Sequence, residues 1–438
     1  MAMDWNQLFS PHRCAKSHNG PEIRSLFQKD YDRIIFSSAF RRMQDKTQVF
    51  PLPGSRMVHN RLTHSLEVAS VGRSIARMSG SKLENVVDNP AMLYNMEVVV
   101  STACLAHDLG NPPFGHSGED TISGFFRNGP GLDYKNDMLP DQWSDLISFE
   151  GNANAFRLLT HQYQGRRKGG FSLTAATLGT LIKYPCTSYD RGDMKKYNVF
   201  YSEIADFERV MSLCGIPRLE EHRLIYARHP LSYMMEAADD ICYLILDMED
   251  AHKRHILSSS EIEKVFMSFF DETENADTYE YKHNIFKEVT DVNERMAFLR
   301  ALLINHLVNH VSEVFKSRYH DIMEGRFKGS LISYLPQHEN DALRRARELS
   351  VEKIYNDPSV VKIELAGYKV IGTLLEEFTD AIIKHNSGYH KKLLSLIPCQ
   401  FLPQDDTVYS KIQCVLDFLS NMTDLYAVRL YKDLRGME

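Results

Sequence analysis

Apolar residues recur along most of the chain at the three- and four-residue spacing of amphipathic helices. Phe27, Tyr31 and Ile34 share one such face near the N-terminus. The same periodicity continues in residues 63–78, 95–110, 229–254, 293–315, 368–385 and 411–434. No convincing run of alternating polar and apolar residues predicts a β-strand. We therefore expect an all-α protein.

Several residues indicate where these helices begin and end. Thr63, with Glu67 following it, suits the start of one helix. Gly110 and the nearby Pro112 indicate the end of the apolar helix before them. Pro230 is well placed in the first turn of a long helix.

The domain organisation predicted from the sequence is one helical body with a helical extension. Residues 127–150 and 184–201 are rich in turn-forming residues and are expected to be irregular insertions. No linker divides the chain cleanly, and there is no internal repeat. We expect a core over residues 1–275, and a C-terminal helical extension over residues 276–438 that packs on it.

Composition narrows the class of protein only modestly. The chain of 438 residues is 43% hydrophobic and 25% charged, with a net charge of −7. These values are ordinary for a globular protein, and they exclude a global basic field that would attract nucleic acid or anionic membranes. A polyanionic ligand would need a local basic cluster, and residues 165–170, Gly-Arg-Arg-Lys-Gly-Gly, are the densest one.

The cysteines and the longest apolar runs indicate the compartment. Seven cysteines are scattered along the chain without any Cys-x-x-Cys pair, so neither a disulfide framework nor a cysteine zinc site is expected. No run of about 18 apolar residues occurs, and the N-terminal segment lacks an apolar signal sequence. We expect a cytoplasmic protein without a membrane contact.

Three predicted helices each direct a polar side chain towards the apolar interior. His64, His107 and Asp239 lie on the apolar faces of their helices, and Asp108 follows His107 directly. A buried carboxylate costs several kcal/mol unless a cation or hydrogen bonds compensate it. Two imidazoles and two carboxylates suit a divalent metal ion, for which we consider Mg, Mn, Fe, Co, Ni and Zn.

Long segments of the sequence resemble the HD-domain deoxynucleotide triphosphohydrolases, the dGTPase family. The segments are NRLTHSLEV, LAHDLGNPPFGHSGE and EAADDICYLILDMEDA, supported by FSSAFRRMQDKTQVFPL and TLIKYP. The resemblance extends from about residue 20 to the C-terminal NMTDLYAVRLY. It implies an all-α HD fold and the metal-dependent hydrolysis of a dNTP, with dGTP expected first, to deoxynucleoside and inorganic triphosphate.

The resemblance also implies the metal ligands, which would be His64, His107, Asp108 and one aspartate of the Ala-Asp-Asp segment. Relatives keep the first of these two aspartates and vary the second. Helical geometry also favours Asp239, because Tyr243 and Asp247 follow on its face. Asp240 would point about 100° away around the helix. We therefore expect Asp239 to be the fourth ligand.

The resemblance assigns proton transfer and phosphate binding to further residues. His116 would be the general acid for the leaving deoxynucleoside, with Glu119 orienting its imidazole. Arg61, Lys183 and Lys196 would contact the triphosphate. Arg41 and Arg42 are further candidates, although an exposed helix face explains them equally well.

Recognition of the sugar and the base is expected to involve three regions of the chain. By resemblance, Gln48 and Asp247 would lie near the 3′-hydroxyl group, and Tyr243 would stack beneath the deoxyribose, where a 2′-hydroxyl would clash. Glu364 and Tyr368 are candidates for the base pocket.

Other functions and several partners stay open at this point. An H…HD…D metal set also occurs in 5′-deoxynucleotidases and (p)ppGpp hydrolases, and a nucleotide- or nucleic-acid-binding regulator could use an inactive HD scaffold. Family members form ring-like homo-oligomers, often hexamers. Some respond to dNTPs or to single-stranded DNA, so either is a candidate effector.

Overall fold

The computed structural model describes residues 2–13, 24–50, 58–166, 168–270 and 288–437, together with positions 280 and 284. Within these residues helices dominate and no β-strand forms. Extended segments make only isolated bridges, such as the one between Cys186 and Ile225. The prediction of an all-α fold is confirmed.

The helices of the first 270 residues range from single turns to more than six turns. In chain order they are α1 (Trp5–Leu8), α2 (Leu26–Ile35), α3 (Ser38–Arg42), α4 (Arg61–Leu83), α5 (Tyr94–Ala106), α6 (His116–Asn128), α7 (Pro140–Ile147), α8 (Gly151–Thr160), α9 (Ala175–Leu181), α10 (Ile204–Leu213), α11 (Pro230–Lys253) and α12 (Ser259–Met267).

The described C-terminal residues from 288 onwards are also helical. In chain order these helices are α13 (Val292–Ser317), α14 (Tyr319–Met323), α15 (Gln337–Leu349), α16 (Pro358–Lys384), α17 (Gly388–Leu394), α18 (Val408–Ser420) and α19 (Asp424–Arg435). A short π-helical segment, Ser350–Tyr355, joins α15 to α16.

Helix α4 lies at the centre of the molecule and packs against α5, α11 and α13. Its contact with α5 is close, because a Cβ atom added at Gly72 would lie 2.6 Å from the sulfur of Cys104. The fully buried Val68 and Ile75 of α4 belong to the same apolar cluster as Val100 of α5. This packing fixes the faces of α4, α5 and α11 against one another.

A second apolar cluster combines α6 with C-terminal helices. Phe126 of α6 packs in it with Leu374 of α16 and Phe418 of α18. In contrast, α13 and α15 contribute to the first cluster, through Leu303 and Ala342. The predicted boundary between residues 275 and 276 lies outside the described residues, so the division into core and extension stays a prediction.

Some local expectations differ from the structure. Residues 127–150 are not wholly irregular, because they contain a 3₁₀ helix, Pro130–Asp137, and the helix α7. Helix α7 forms here because Pro140 occupies its first position and Trp143 and Leu146 are buried. Within residues 184–201 only the last residue enters a helix, the 3₁₀ turn Tyr201–Glu203, so that prediction agrees with the structure.

The predicted helix ends are also shifted by a few residues. Helix α4 begins at Arg61, since Asn60 rather than Thr63 is its N-cap and exchanges hydrogen bonds with Thr63. Helix α5 ends at Ala106, before Gly110. Helix α11 begins at Pro230, as predicted.

Candidate active site

Three ligand-type side chains meet where α4, α5 and α11 pack together. His64 lies on α4, His107 directly follows α5, and Asp239 lies on α11. The Nε2 atoms of both histidines lie 3.3 Å from Oδ1 of Asp239. One ligand atom from each residue lies within 4.8 Å of the others. The structure therefore brings three of the predicted metal ligands together.

The fourth predicted ligand, Asp108, lies at the edge of this cluster. Its Oδ1 atom is 3.6 Å from Nε2 of His107. Its Oδ2 atom accepts a hydrogen bond of 2.7 Å from the guanidinium of Arg61. Burial raises the pKa of Asp108, but the charges of Arg61, His107 and His64 together hold it below its usual range. Asp108 is therefore a carboxylate anion.

This donor set fits a divalent cation. The Nδ1–H group of His107 donates to the backbone carbonyl of Cys104 at 2.6 Å, because a carbonyl can only accept. In the neutral ring, Nε2 then presents a lone pair towards the carboxylate of Asp239. Two acceptors repel each other at this distance unless a cation or a proton lies between them. A backbone carbonyl that fixes the other ring nitrogen is typical of metal-binding histidines.

Charge distinguishes Asp239 from its neighbour Asp240. The ammonium group of Lys183 lies 2.6 Å from Oδ2 of Asp239. Burial raises the pKa of Asp239, but Lys183 and then His107 hold it well below its usual range. At Asp240, burial and the charge of Glu236 raise the pKa to about 7. The geometry thus supports Asp239 as the ligand.

His116 and Glu119 form a hydrogen-bonded pair on the first turn of α6. Nδ1 of His116 lies 2.7 Å from one carboxylate oxygen of Glu119, and the other oxygen accepts from the backbone N–H of Gly151 at 2.7 Å. The hydrogen bond to Glu119 raises the pKa of His116. The turn before His116 requires glycine, because Gly115 has a φ of +57° and an added Cβ would lie 2.5 Å from Arg61.

The histidine–aspartate cluster and the His116 pair open into one cavity of about 200 Å³. Arg61, Lys183 and Lys196 line this cavity. Burial lowers the pKa of Lys196, but Glu150, Tyr184 and Glu119, which also line the cavity, together raise it above its usual value. The three residues predicted to bind phosphate therefore lie beside the predicted metal ligands.

The predicted sugar-binding residues are only partly brought together. Gln48 and Tyr243 line the cavity, and Oε1 of Gln48 is buried without a hydrogen-bond partner in the described part of the chain. The ring of Tyr243 stacks on Tyr355, with centroids 6.2 Å apart and planes at 24°. Asp247 lies behind this pair and accepts a hydrogen bond of 3.0 Å from Tyr355. Burial raises the pKa of Asp247 to about 8.

The two base-pocket candidates differ in position. Glu364 lines the cavity, whereas Tyr368 does not. Sequence reasoning missed several lining residues, among them Tyr355 and Glu150. Tyr355 ends a π-helical segment, where periodicity carries no signal, and Glu150 lies in the segment that the sequence assigned to an irregular insertion.

Arg41 and Arg42 do not line this cavity. They line a separate cavity of about 1240 Å³, and Arg166 and Lys168 of the basic Gly-Arg-Arg-Lys-Gly-Gly segment line it as well. The basic cluster that the sequence analysis singled out is therefore built into a second concave surface.

Comparison with known families agrees with the fold and the site. Residues 61–139 match the HD domain, and residues 334–433 match the phosphohydrolase-associated domain. HD domains are metal-dependent hydrolases. The chain is thus an HD-domain phosphohydrolase.

Full-length relatives identify the family within this class. Proteins named deoxyguanosinetriphosphate triphosphohydrolase-like protein are 36% identical in Pseudomonas aeruginosa PAO1, 37% in Synechocystis sp. PCC 6803 and 33% in Listeria monocytogenes EGD-e. The alignments cover 99% of this chain and 99–100% of the relatives. This chain belongs to the dGTP triphosphohydrolase-like family, and the resemblance found in the sequence is confirmed.

Among the described residues, no helix is both long enough and apolar enough to cross a bilayer.

Proposed function

We propose that the protein is a divalent-metal-dependent dNTP triphosphohydrolase, with dGTP as its expected substrate. The observation that carries the proposal is one cavity that combines a histidine–aspartate cluster, three cationic side chains and the His116–Glu119 pair. Metal ligands, phosphate-binding cations and a general acid are the groups that hydrolysis of a phosphate ester requires.

His64, His107, Asp108 and Asp239 would hold the metal ion. When bound, the ion supplies Lewis-acid activation of water and offsets charge on the α-phosphate. Arg61 is suited to a phosphate oxygen, since its Nε atom is buried without a hydrogen-bond partner in the described residues. Lys183 and Lys196 bring further positive charge to the same cavity.

His116 would complete the reaction by protonating the leaving group. Water adds to the α-phosphorus and releases a proton to solvent, while the bond to O5′ breaks. The electron pair left on O5′ takes a proton from His116, which is reprotonated from solvent. The deoxynucleoside and the intact inorganic triphosphate are then released. Because Nδ1 of His116 is hydrogen-bonded to Glu119, the Nε2–H group of His116 is the one available for this transfer.

The cavity also supports the expected deoxyribose and guanine specificity. The unpartnered Oε1 of Gln48 can accept from a 3′-hydroxyl group, and the exposed ring of Tyr243 offers a surface for the sugar. Glu364 presents a carboxylate that can accept from the N1–H and N2–H groups of guanine. Contact between Asp247 and the sugar stays a prediction.

Product analysis tests the proposal directly. The purified protein is incubated with Mg²⁺ or Mn²⁺ and with each dNTP, a deoxynucleoside monophosphate or (p)ppGpp in separate reactions, and the products are separated by ion-exchange chromatography. We expect deoxynucleoside and triphosphate in equal amounts, formed fastest from dGTP, and no turnover in a His107→Ala control. Phosphate released from a deoxynucleoside monophosphate, or pyrophosphate released from (p)ppGpp, would instead support the other two HD activities.

A regulatory role for a polyanionic effector is supported by the second cavity. Its described lining includes Arg33, Arg41, Arg42, Arg166, Lys168 and Arg209, and no acidic side chain. Burial lowers the pKa of Arg42, and the adjacent charge of Arg41 lowers it further. A phosphate-bearing ligand, either a dNTP or single-stranded DNA, would relieve this repulsion, and the 77% exposed ring of Phe36 could stack on a base.

Two further expectations have different origins: the resemblance implies a homo-oligomer, and the cysteines and apolar runs suggest a cytoplasmic location. Assembly into a homo-oligomer and a cytoplasmic location stay predictions. Size-exclusion chromatography with light scattering measures the first.

A further inference from the structure

A cluster of three histidines and one glutamate lies between α13 and α15, and it shares no residue with the active-site cavity. His306 and His310 are one turn apart on α13, so both face the same neighbour. His338 and Glu339 lie side by side in the first turn of α15. The imidazoles of His306 and His310 lie with their centroids 4.2 Å apart.

Glu339 is the centre of this cluster, and its side chain is completely buried. Its Oε1 atom is 2.9 Å from Nε2 of His306 and 3.8 Å from Nε2 of His338, and it also contacts Nδ1 of His310. Among the described residues, its ion-pair partners are imidazoles alone. A buried carboxylate needs a cation or hydrogen bonds to compensate its charge, and the contacts with His306 and His310 both reach Oε1.

Two atoms of the cluster also lack hydrogen bonds. Oε2 of Glu339 and Nε2 of His338 are both buried without a partner in the described part of the chain. Protonation of His306 or His310 would compensate the charge of Glu339, but it would leave both of these atoms unsatisfied. A cation among them would satisfy both atoms and the charge together.

We propose that His306, His338 and Glu339 form a second metal site, which takes a zinc-class divalent ion and ties α13 to α15. One ligand atom of each residue lies within 4.8 Å of the others. Zinc–ligand bonds of about 2.0–2.1 Å place tetrahedral ligands about 3.3 Å apart, so small side-chain movements suffice. His310, through its contact with Glu339, orients the carboxylate.

Zinc titration of the full chain tests this site separately from the active site. The His107→Ala/Asp239→Ala protein, in which the first ligand cluster is dismantled, is treated with chelator and titrated with Zn²⁺ by calorimetry. We expect one Zn²⁺ per chain and a rise in Tm upon binding. Absence of Zn²⁺ binding would overturn the proposal and leave a buried histidine–glutamate ion network.

Two variants in that background locate the ion. His338→Ala and the nearly isosteric Glu339→Gln should each weaken Zn²⁺ binding by roughly a hundredfold or more, since each removes a ligand. The matched control is His320→Ala, which removes an exposed histidine and should change nothing. Glu339→Gln keeps the packing of the cluster, so unchanged Zn²⁺ affinity in that variant would overturn the assignment even if His338→Ala folds poorly.

Discussion

At the scale of single residues, His116 is the side chain on which the proposed chemistry depends most. Its imidazole is exposed to the cavity, while Glu119 is buried and fixed by Gly151. The hydrogen bond and charge of Glu119 raise the pKa of His116, whereas Lys196 and Arg61 oppose this effect. The balance favours the protonated form that a general acid needs.

His116→Ala should therefore lower kcat by about 10²–10⁴-fold while binding of a non-hydrolysable dNTP persists. Activity should fall as pH rises through the raised pKa of His116, because the acid then loses its proton.

Glu119→Gln removes the group that raises the pKa of His116, so the alkaline limb of the pH–rate profile should move to lower pH. A limb that stays in place would contradict the role of Glu119.

Adjacent aspartates on α11 should behave differently. Asp239 contacts both histidines and Lys183. Asp240 does not line the cavity, and the negative charge of Glu236 acts on it. We expect Asp239→Ala to abolish retention of the active-site metal and Asp240→Ala to leave it in place. Elemental analysis of both purified proteins measures this, and equal loss in the two would contradict the assignment.

Tyr243 should limit the use of ribonucleotides. The residue is 40% exposed and lines the cavity, and its ring stacks on that of Tyr355. Tyr243→Ala opens space beside C2′, so the ratio of kcat/KM for dGTP over GTP should fall. Tyr355→Phe is the control, because it keeps the stacked ring and removes only the hydroxyl bonded to Asp247. An unchanged ratio in Tyr243→Ala would remove Tyr243 from sugar selection.

At the scale of secondary structure, the sequence predicted helices well and their ends less well. The periodicity located α4, α5 and α11 and the faces that carry His64, His107 and Asp239, because burial of one face repeats every turn. Tyr355 could not be predicted in this way, because it approaches Tyr243 only through tertiary packing. The short α7 was hidden by turn-forming residues around it.

The loop after α5 depends on contact with α8. A Cβ atom added at Gly110 would lie 2.1 Å from the backbone nitrogen of Ala155 and 2.2 Å from the carbonyl of Gly151. Gly110→Ala should destabilise the protein by about 1–3 kcal/mol or more, measured by chemical denaturation. The control is Gly124→Ala in α6, which meets nothing within 4 Å and should stabilise the helix slightly. Similar effects in both variants would contradict this explanation.

At the scale of the whole molecule, the distribution of charge matters more than its sum. The chain carries a net charge of −7, yet the second cavity gathers basic side chains from α2, α3 and α10 and from residues 161–172. The sequence identified Arg41, Arg42 and the 165–170 segment as separate basic features. It could not show that they face each other, because they are more than 100 residues apart in the chain.

This cavity should bind a polyanion independently of the active site. We expect Arg41→Ala/Lys168→Ala to weaken binding of a labelled single-stranded oligonucleotide or a non-hydrolysable dNTP, measured by fluorescence anisotropy, and to leave basal dGTP hydrolysis unchanged. Lys391→Ala/Lys392→Ala on α17 removes the same charge from an exposed surface elsewhere. If binding depends on the cavity, only Arg41→Ala/Lys168→Ala weakens it. Equal losses of affinity in both double variants would show a response to net charge alone. A steep salt dependence would favour the oligonucleotide over the dNTP, because more phosphates are neutralised.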